Sequence, residues 1–584
     1  MIEEDPWDEL ELGSGEPDLL PARRRYRWQI APRIPSELSA QLPKAHPLLL
    51  QLLFNRGVTT FDQASLFLTP ERESQLDPSL LPDMPAAVER ILRAIRGDEP
   101  IAVYGDFDVD GVTSTALLSE SLARAGGIVS TYIPHRLKEG YGLNAAGLTY
   151  LRDQDVKLVV TVDCGVGALP ELALAAQLGM DVVVTDHHAV PPGSTAFPAP
   201  LVNPRRPDSQ YPGGHLAGVG VAYKLAQAIA AAMGRDDIAA ESSCLDLVAL
   251  GTVADVVPLV GENRYFVNRG LAILNTAPRL GLRELITKAG LQLGKLDTDS
   301  LAFALGPRLN AAGRMRDAGI AYRLLVATSV DEARMLADEL SALNVERQQL
   351  TRSAIATAKE NLVGLPRGAR ILMSSSRDYQ PGIIGLIAGR LADEYGRPAV
   401  VVALGDEDSV GSVRSPGTLN VVKALQSCGD LLKRFGGHPQ AAGFLAPTPK
   451  LIALYHRLEE VAASEMGDQH PETVLDIDAE VPLSTLSLSL HQVISQLAPF
   501  GAANPVPLFL TRGLRVVDSR IVGQGHLKLR LADGAQDIAA IGFNMGDRQS
   551  EITGKLDVVY TLQPNEWNGT RTLELNLKDL RTSN

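Results

Sequence analysis

Residues 100–111 read Pro-Ile-Ala-Val-Tyr-Gly-Asp-Phe-Asp-Val-Asp-Gly, a short β-branched run followed directly by three alternating carboxylates. The run Ile101–Tyr104 predicts a buried strand, and similar runs recur at Leu158–Val162 and Val182–Thr185 with helical segments between them. Strands that alternate with helices over about a hundred residues indicate βαβ units and a parallel sheet. This part of the chain is therefore expected to be an α/β domain.

The acidic segment after the first strand initially suggests a calcium-binding EF-hand loop. That loop requires a glutamate at its twelfth position, where this chain has Leu117, and a helix rather than a strand in front of it. Asp106, Asp108 and Asp110 also fit a solvated turn poorly, because apolar residues flank them and close carboxylates repel one another without a cation. The segment therefore favours a site for a cation other than an EF-hand calcium.

Acidic residues also follow the other two predicted strands. Asp163 comes directly after Leu158–Val162, and Asp186-His187-His188 comes directly after Val182–Thr185. The carboxyl ends of parallel strands meet at one edge of the sheet, where ligands gather. One such aspartate alone would be explained as a helix N-cap, but these clusters together, with two histidines, predict a metal site.

Asp255 is the only charged residue in the apolar stretch Leu247–Leu259. A buried charge needs a partner or a metal, so Asp255 is either a further ligand or a hydrogen-bonded cap, and this segment favours neither. Oxygen ligands with one or two imidazoles suit Mn²⁺ or Mg²⁺ better than structural zinc. Five or six such ligands would serve two divalent cations about 3.5–4 Å apart, an arrangement that cleaves phosphate esters.

Composition sets wide limits on the class of protein. The 584 residues suggest three to five domains, and 45% hydrophobic with 21% charged residues excludes wholesale disorder. No apolar run approaches the ~20 residues of a membrane-spanning helix, and the acidic N-terminus is unlike a secretory signal. Three widely spaced cysteines suit a reducing cytoplasm. The net charge of −14 does not decide the substrate.

A long helix is predicted to connect two α/β units. Ser329 with Glu332 forms a capping box, Gly364-Leu365-Pro366 is a stop signal, and leucines recur at helical spacing between them. After this helix a smaller α/β unit is expected, and then a β-barrel with an OB-fold as the leading candidate, including a hairpin at Asn568-Gly569. The predicted regions are an acidic tail with a basic cluster (1–45), a catalytic domain with N-terminal helices (46–328), the connecting helix (329–364), the smaller α/β domain (365–465) and the barrel (466–584).

Four motifs carry a resemblance to a known family. They are Asp108-Val109-Asp110-Gly111, Val162-Asp163-Cys164-Gly165, Asp186-His187-His188 and Gly251-Thr252-Val253-Ala254-Asp255. These segments resemble the motifs of the DHH phosphoesterases. Within that superfamily the chain is similar, from about residue 46 onward, to the bacterial exonucleases that degrade single-stranded DNA from 5′ to 3′.

Further segments extend the resemblance along the chain. They are Ile133–Arg136, Gly140–Leu143, Leu216–Gly220, Gly306–Arg314, Arg414-Ser415, Gly436–Gly443 and Pro499–Pro505. The segments at 414–443 resemble the DHHA1 domain, and the last resembles the start of the OB-fold in these exonucleases. Tyr104 stands where the pyrophosphatase branch of the superfamily has a metal-binding histidine, which argues against pyrophosphatase activity.

The resemblance implies a role for each matching residue. The implied metal ligands are Asp106, Asp108, Asp110, Asp163, His187 and Asp255, with Asp163 bridging two Mn²⁺ or Mg²⁺ ions and Asp106 either a ligand or a supporting residue. Asp163 and His188 are the implied catalytic residues, His188 facing the scissile phosphate or holding a ligand in place. The implied DNA-binding residues are Arg136, Arg308, Asn310, Arg414, Ser415 and His438, and for any single arginine among them the alternative is a surface ion pair.

Three functions remain open at this stage. The first is a metal-dependent exonuclease that releases 5′-mononucleotides from single-stranded DNA in repair and recombination, acts as a monomer, and cooperates with a helicase and a single-strand-binding protein. The second is a phosphodiesterase for short oligonucleotides or cyclic dinucleotides, against which the C-terminal barrel counts. The third is a non-catalytic replication scaffold, which would be expected to have lost ligands that this chain retains.

Overall fold

The structure is a computed structural model that describes residues 26–36, 45–70, 75–191, 197–212, 214–362, 365, 368–466, 473–523, 525–567 and 570–583. The acidic tail, most of the basic cluster and the Asn568-Gly569 turn lie outside these residues. The α-helices are α1 Pro47–Asn55, α2 Phe61–Leu68, α3 Met84–Arg96, α4 Val109–Arg124, α5 Ala145–Asp153, α6 Leu169–Gln177, α7 Gly218–Met233, α8 Glu241–Ala254, α9 Gly261–Thr276, α10 Leu280–Lys288, α11 Gly306–Met315, α12 Gly319–Val326, α13 Val330–Leu362, α14 Ile384–Tyr395, α15 Val421–Ser427, α16 Leu451–Met466 and α17 Leu488–Ser495. The strands are β1 Tyr26–Ile30, β2 Pro100–Tyr104, β3 Ile128–Tyr132, β4 Leu158–Val162, β5 Asp181–Thr185, β6 Leu201–Val202, β7 Leu372–Ser376, β8 Ala399–Ala403, β9 Asp408–Arg414, β10 Arg434–His438, β11 Ala441–Pro447, β12 Thr473–Ile477, β13 Ala479–Glu480, β14 Phe509–Val522, β15 His526–Asp533, β16 Gln536–Gly542, β17 Lys555–Trp567 and β18 Thr570–Thr582.

The catalytic half is built on a parallel sheet with strand order β3-β2-β4-β5-β6. Helices cover both faces, and a separate buried apolar cluster fills each side. The central strand β4 is buried at every position, as its uninterrupted Val-rich sequence predicts. The predicted α/β fold is confirmed, and β2, β4 and β5 end at the same edge of the sheet.

The long helix α13 belongs to two hydrophobic cores. Its first half contributes Leu336 and Leu340 to the core of the parallel-sheet domain, whereas its last turns contribute Ala358 and Leu362 to the core beneath β7 and β8. Its 33 residues span about 50 Å at 1.5 Å per residue. The helix therefore joins the two α/β units, and the second is a five-stranded mixed sheet of order β10-β11-β9-β8-β7.

The C-terminal region closes into a five-stranded barrel. Strands β14-β15-β16-β18-β17 pair in that order, and β17 pairs back with β14. β17 and β18 pair along their length as the predicted hairpin. Leu527, Leu529 and Leu531 point into the barrel, as the strict alternation in β15 predicts. The predicted barrel is confirmed.

Two N-terminal features differ from the sequence-based domain division. β1 lies inside the predicted tail and pairs in parallel with β12, about 450 residues away in the chain. Helices α1 and α2, assigned from sequence to the catalytic domain, bury Leu52 and Leu53 of α1 and Ala64 of α2 in the core of the barrel. The physical reason is that barrel strands alone leave an apolar surface that these amphipathic helices cover.

The barrel is fixed to the catalytic domain next to Asp255. Arg264 of α9 is buried and donates hydrogen bonds to the carbonyl oxygens of Leu497 (3.0 Å), Ala498 (2.7 Å) and Pro499 (3.2 Å). The amide of Leu259 donates to the carbonyl of Ala502 at 2.8 Å. Both contacts lie within nine residues after Asp255 in the chain, so the barrel packs beside the predicted metal site.

Candidate metal centre and DNA cleft

The tight acidic turn after β2 depends on a glycine. Asp108 caps α4, since its carboxylate accepts a hydrogen bond from the amide of Gly111 at 3.1 Å. A Cβ atom on Gly111 would lie 2.5 Å from the carbonyl oxygen of Asp106, so only glycine allows the turn to close. The turn therefore places the buried Asp106 and Asp110 and the half-buried Asp108 together at the end of the strand.

Asp110 and Asp163 meet at the start of α7. The amides of Gly218 and Val219 donate to the two oxygens of Asp110 at 2.6 and 2.8 Å, so the positive end of the helix faces this carboxylate. Asp163 follows β4 with φ of +61°. A Cβ atom on Gly218 would come within 2.6 Å of the Cβ of Asp163. The Leu216–Gly220 segment thus has a clear role, which is to admit Asp163 and to orient Asp110.

His187 lies at the centre of the cluster. Its Nε2 is 3.0 Å from Oδ1 of Asp163, 3.7 Å from Oδ2 of Asp110 and 3.6 Å from Oδ2 of Asp255. The side chains form three overlapping groups, and within each group the donor atoms lie within 4.8 Å of one another. The first group is Asp106, Asp108 and Asp163, the second is Asp163, His187 and His188, and the third is Asp110, His187 and Asp255. Asp163 belongs to the first two groups, which fits a carboxylate shared between two ions.

The donor atoms carry the electrostatic signature of a cation site. Burial, followed by the neighbouring carboxylates, raises the pKa of Asp110 and Asp163 well above the usual range. Burial, and then the charge of His188, lowers the pKa of His187 to about 3, which keeps the imidazole neutral and able to bind a metal. Oδ1 of Asp106, Oδ1 of Asp163 and both ring nitrogens of His187 are buried without a hydrogen-bond partner. Oxygen donors with one neutral imidazole fit Mn²⁺ or Mg²⁺.

His188 differs from its neighbour because it has a dedicated carboxylate. Asp186 is fully buried and accepts hydrogen bonds from the amides of His187 (2.7 Å) and His188 (3.0 Å), with Nδ1 of His188 2.8 Å away. Although burial lowers it, the hydrogen bond to Asp186 raises the pKa of His188 to about 9. The hydroxyl of Tyr141 lies 3.1 Å from the same nitrogen and donates to the carbonyl of Asp163. Asp186 belongs to a sequence motif from which no separate role could be predicted, and in the structure it is the residue that orients both histidines.

Residues of the second α/β unit reach the metal centre. The ring of His438 stacks on His188, with centroids 5.4 Å apart and planes at 17°. From the catalytic domain, Arg136 lies over the ring of Phe107 at 4.6 Å. Burial lowers the pKa of Arg136, and the charges of Asp106 and Asp108 oppose this shift. Arg414 donates to Oγ of Ser412 and to the carbonyl of Val413, each at 2.9 Å. These residues line a cleft between the two α/β units from both sides.

The other DNA-binding candidates make local contacts. Oδ1 of Asn310 accepts from the amide of Val109 at 3.2 Å, and Arg308 donates to the carbonyl of Ala304, one turn earlier. Oγ of Ser415 accepts from the amides of Gly417 and Leu419, at 3.3 and 3.1 Å, and so shapes the turn after β9. Among these three, Asn310 lies directly against the acidic turn.

Arg314 was quoted in a motif but was not identified as a site residue. It is half-buried, and burial together with the charges of Arg136, Arg347 and Arg414 lowers its pKa to about 9, while Asp108 opposes this shift. Its guanidinium donates to the carbonyl of Gly382 at 3.2 Å. The spacing of residues in the sequence could not predict that these four arginines lie close together, because they come from three separate secondary-structure elements and a loop. Together, Arg136, Arg314 and Arg414 form what we call the arginine cluster.

The raised carboxylate pKa values predict a pH dependence of stability. Burial and the charge of Asp108 raise the pKa of Asp255 to about 7, whereas an aspartate in an unfolded chain titrates near 3.9. Between these values the folded state binds more protons than the unfolded state, so the contribution of Asp255 to the free energy of unfolding falls as pH rises. In EDTA, urea unfolding should show Asp255→Asn gaining stability over the wild type from pH 4.5 to 7.5. A difference that does not change with pH would contradict the assignment, and Asp155→Asn on the surface serves as the control.

Most of this chain is similar to known protein families and to proteins of known structure. The DHH family N-terminal domain matches residues 100–252, the DHHA1 domain matches residues 368–464, and the RecJ OB domain matches residues 477–579. The Bacillus subtilis protein named single-stranded-DNA-specific exonuclease RecJ is 34% identical over 567 residues, which cover 96% of this chain and 71% of that protein. Its Escherichia coli counterpart is 33% identical over 571 residues, covering 92% of this chain and 96% of the relative. The crystal structure of RecJ from Thermus thermophilus in complex with Mn²⁺ matches with a TM-score of 0.82 at 31% identity, over 96% of this chain and 80% of the other.

Proposed function

Because the chain belongs to the RecJ family of single-stranded-DNA-specific exonucleases, we propose that it degrades single-stranded DNA from the 5′ end and releases 5′-mononucleotides, in repair and recombination. The observation that carries this proposal is the convergence of Asp110, Asp163, His187 and Asp255 at one edge of the sheet, with His438 stacked on His188 from the opposite wall. A cleft between two domains that contains a metal centre suits hydrolysis of a thin, flexible strand.

The proposed cofactors are two divalent cations, Mn²⁺ or Mg²⁺. Asp106, Asp108 and Asp163 would hold one, and Asp110, Asp163, His187 and Asp255 the other, consistent with the overlapping donor groups. When bound, such ions activate water and stabilise the attacking and leaving oxygens of phosphate-ester cleavage. Asp186 fixes Nδ1 of His188, so the opposite edge of the ring is available to contact a phosphate oxygen.

Selectivity for single strands is proposed to come from shape and from the barrel. The lining of a groove on the outer face of the barrel includes Arg520, Lys528 and Arg530, which suits a DNA backbone. Lys528 and Arg530 are paired with Glu574 and Asp537, so the groove is less basic than its arginines and lysine suggest from the sequence. The barrel is therefore proposed to supply affinity for longer strands, and the chemistry stays in the cleft.

The proposed partners follow from the substrate. A helicase would supply single strands from duplex DNA, a single-strand-binding protein would present them, and the chain itself would act as a monomer in the cytoplasm. The free, buried state of Cys164, Cys244 and Cys428 suits a reducing compartment. In the part of the chain that the structure describes, no helix is both long enough and apolar enough to cross a membrane.

The other two functions account for less of the chain. A phosphodiesterase for short oligonucleotides or cyclic dinucleotides leaves the match to the RecJ OB domain without a purpose. A scaffold without activity leaves the retained donor atoms, several of them buried and unpartnered, without an explanation.

The full chain with Mn²⁺ should shorten a single strand carrying a 5′ label to a labelled mononucleotide as its first product. A strand with a 3′ label should instead give a ladder of shortening products, and the matching blunt duplex should be cleaved at least about 100-fold more slowly. KM should fall as the strand lengthens enough to reach the barrel groove. Equal cleavage of both DNA forms, or a first product released from the 3′ end, would contradict the proposal.

A further inference from the structure

The segment after β6 is fixed against the DHH histidines by one buried asparagine. Asn203 is fully buried, and its Nδ2 donates to the carbonyl of His188 at 2.9 Å. Its Oδ1 accepts from the amide of Arg205 at 2.8 Å. β6 itself pairs with β5, whose last residue directly precedes the Asp186-His187-His188 motif. The backbone of Arg205 is therefore held beside His188, at the catalytic edge of the sheet.

The side chain of Arg205 is exposed, and its charge acts on residues of the metal centre. Its charge opposes the burial that raises the pKa of Asp255, and it adds to the burial that lowers the pKa of His187 and of His438. No carboxylate of a described residue lies within 4.0 Å of its guanidinium. The next residue, Arg206, is paired with Asp83 and Asp208.

The arginine cluster and Arg205 interact electrostatically with different carboxylates. Arg136 and Arg314 interact with Asp108, whereas Arg205 interacts with Asp255. An arginine that served only to neutralise Asp255 would be expected to form an ion pair with it, and no such pair is present. An exposed, unpaired guanidinium beside a phosphate-cleaving site suits a phosphate, which it can bind through two parallel hydrogen bonds.

We propose that Arg205 binds a backbone phosphate of the DNA strand on the 3′ side of the scissile bond. This inference rests on the proposed function, with the scissile phosphate at the metal centre. It further takes the 5′ end of the strand to lie at the arginine cluster, whose positive charges suit a terminal phosphate. The phosphate held by Arg205 then belongs to the part of the strand that remains after each cleavage. Arg205 is thus a substrate-binding residue that keeps the remaining strand in the cleft.

The test combines a protein substitution with a neutral DNA linkage. Single strands with a 5′ phosphate are prepared with one methylphosphonate at the second, third or fourth linkage, and kcat/KM is compared with that of the all-phosphate strand. With the wild type, one of these neutral linkages should lower kcat/KM about 10-fold. Arg205→Gln should lower kcat/KM by a similar factor on the all-phosphate strand and should show no additional loss at that linkage, because the contact is already missing.

Arg206→Gln is the matched control and should behave as the wild type does. Arg205→Gln should also reduce the slope of log(kcat/KM) against log salt concentration by about 0.7, the value for one lost contact to a single strand. Since the side chain of Arg205 is exposed, the Arg205→Gln variant should have the same thermal unfolding midpoint as the wild type. If the neutral linkages cost Arg205→Gln as much as the wild type at all three positions, the inference is overturned. If the wild type fails to cleave the all-phosphate strand, the proposed function fails instead, so the two failures are distinguishable.

Discussion

Asp163→Asn is expected to lower hydrolysis of single-stranded DNA by well over about 100-fold, which is the upper range for residues that only orient a metal ligand. The reason is that Asp163 belongs to two of the three groups of donor atoms, so its loss weakens the binding of both proposed ions. Asparagine preserves the shape of the side chain and tolerates the left-handed backbone at this position, where φ is +61°. The effect should therefore come from the lost charge and not from backbone strain.

Stability distinguishes a lost ligand from a damaged fold. Burial, followed by repulsion from Asp110, Asp108, Asp106 and Asp255, raises the pKa of Asp163. In EDTA, Asp163→Asn should therefore be at least as stable as the wild type near pH 7. Mn²⁺ should raise the unfolding midpoint of the wild type clearly and that of the variant much less.

Asp155→Asn is the matched control. Asp155 is exposed on the same domain and also has a positive φ, of +60°. Its activity, and its stabilisation by Mn²⁺ measured by calorimetry, should equal those of the wild type. Full Mn²⁺ affinity with retained activity in Asp163→Asn would refute the assignment of Asp163 as a ligand.

The sequence predicted the catalytic edge of the sheet because the relevant information is local. Each strand carries its own acidic residue at its carboxyl end, and parallel topology alone brings those ends together. Asp255 could not be placed in the same way, because it ends α8 and not a strand. Only the packing of α8 against α4 and α9 brings it to His187.

The hydrophobic periodicity of the sequence could not predict contacts between segments that are far apart in the chain. The pairing of β1 with β12 and the burial of Leu52 in the barrel core depend on partners hundreds of residues away. The hydrophobic pattern of α1 shows that the helix buries one face but does not show against which domain. Arg205 and Arg314 could not be predicted as site residues for a related reason, since a single arginine in a sequence is most simply explained as a surface ion pair.

Arg414→Ala is expected to raise KM for a 5′-phosphorylated strand about 10- to 150-fold more than for a 5′-hydroxyl strand. Burial and the charge of Arg136 lower the pKa of both Arg314 and Arg414. Arg414 adds to the shift at Arg314, and Asp108 opposes it. Such a group of half-buried cations favours the binding of an anion, and a terminal phosphate carries more charge than an internal one. A hydrogen bond to a charged group contributes about 1.5–3 kcal/mol, which corresponds to the stated range in affinity.

The role of Arg414 is tested by the difference in KM between the two substrates and not by a loss of activity alone. Arg414 also donates to Ser412 and Val413, so its removal could disturb β9 and affect both substrates equally. Arg377→Ala on the same domain, where Arg377 is exposed and paired with Asp406 at 2.6 Å, controls for the loss of a positive charge. It should leave the ratio of the two KM values unchanged. If Arg414→Ala raises both KM values by the same factor, Arg414 supports the cleft wall, and the 5′ end is recognised by Arg136 and Arg314 without it.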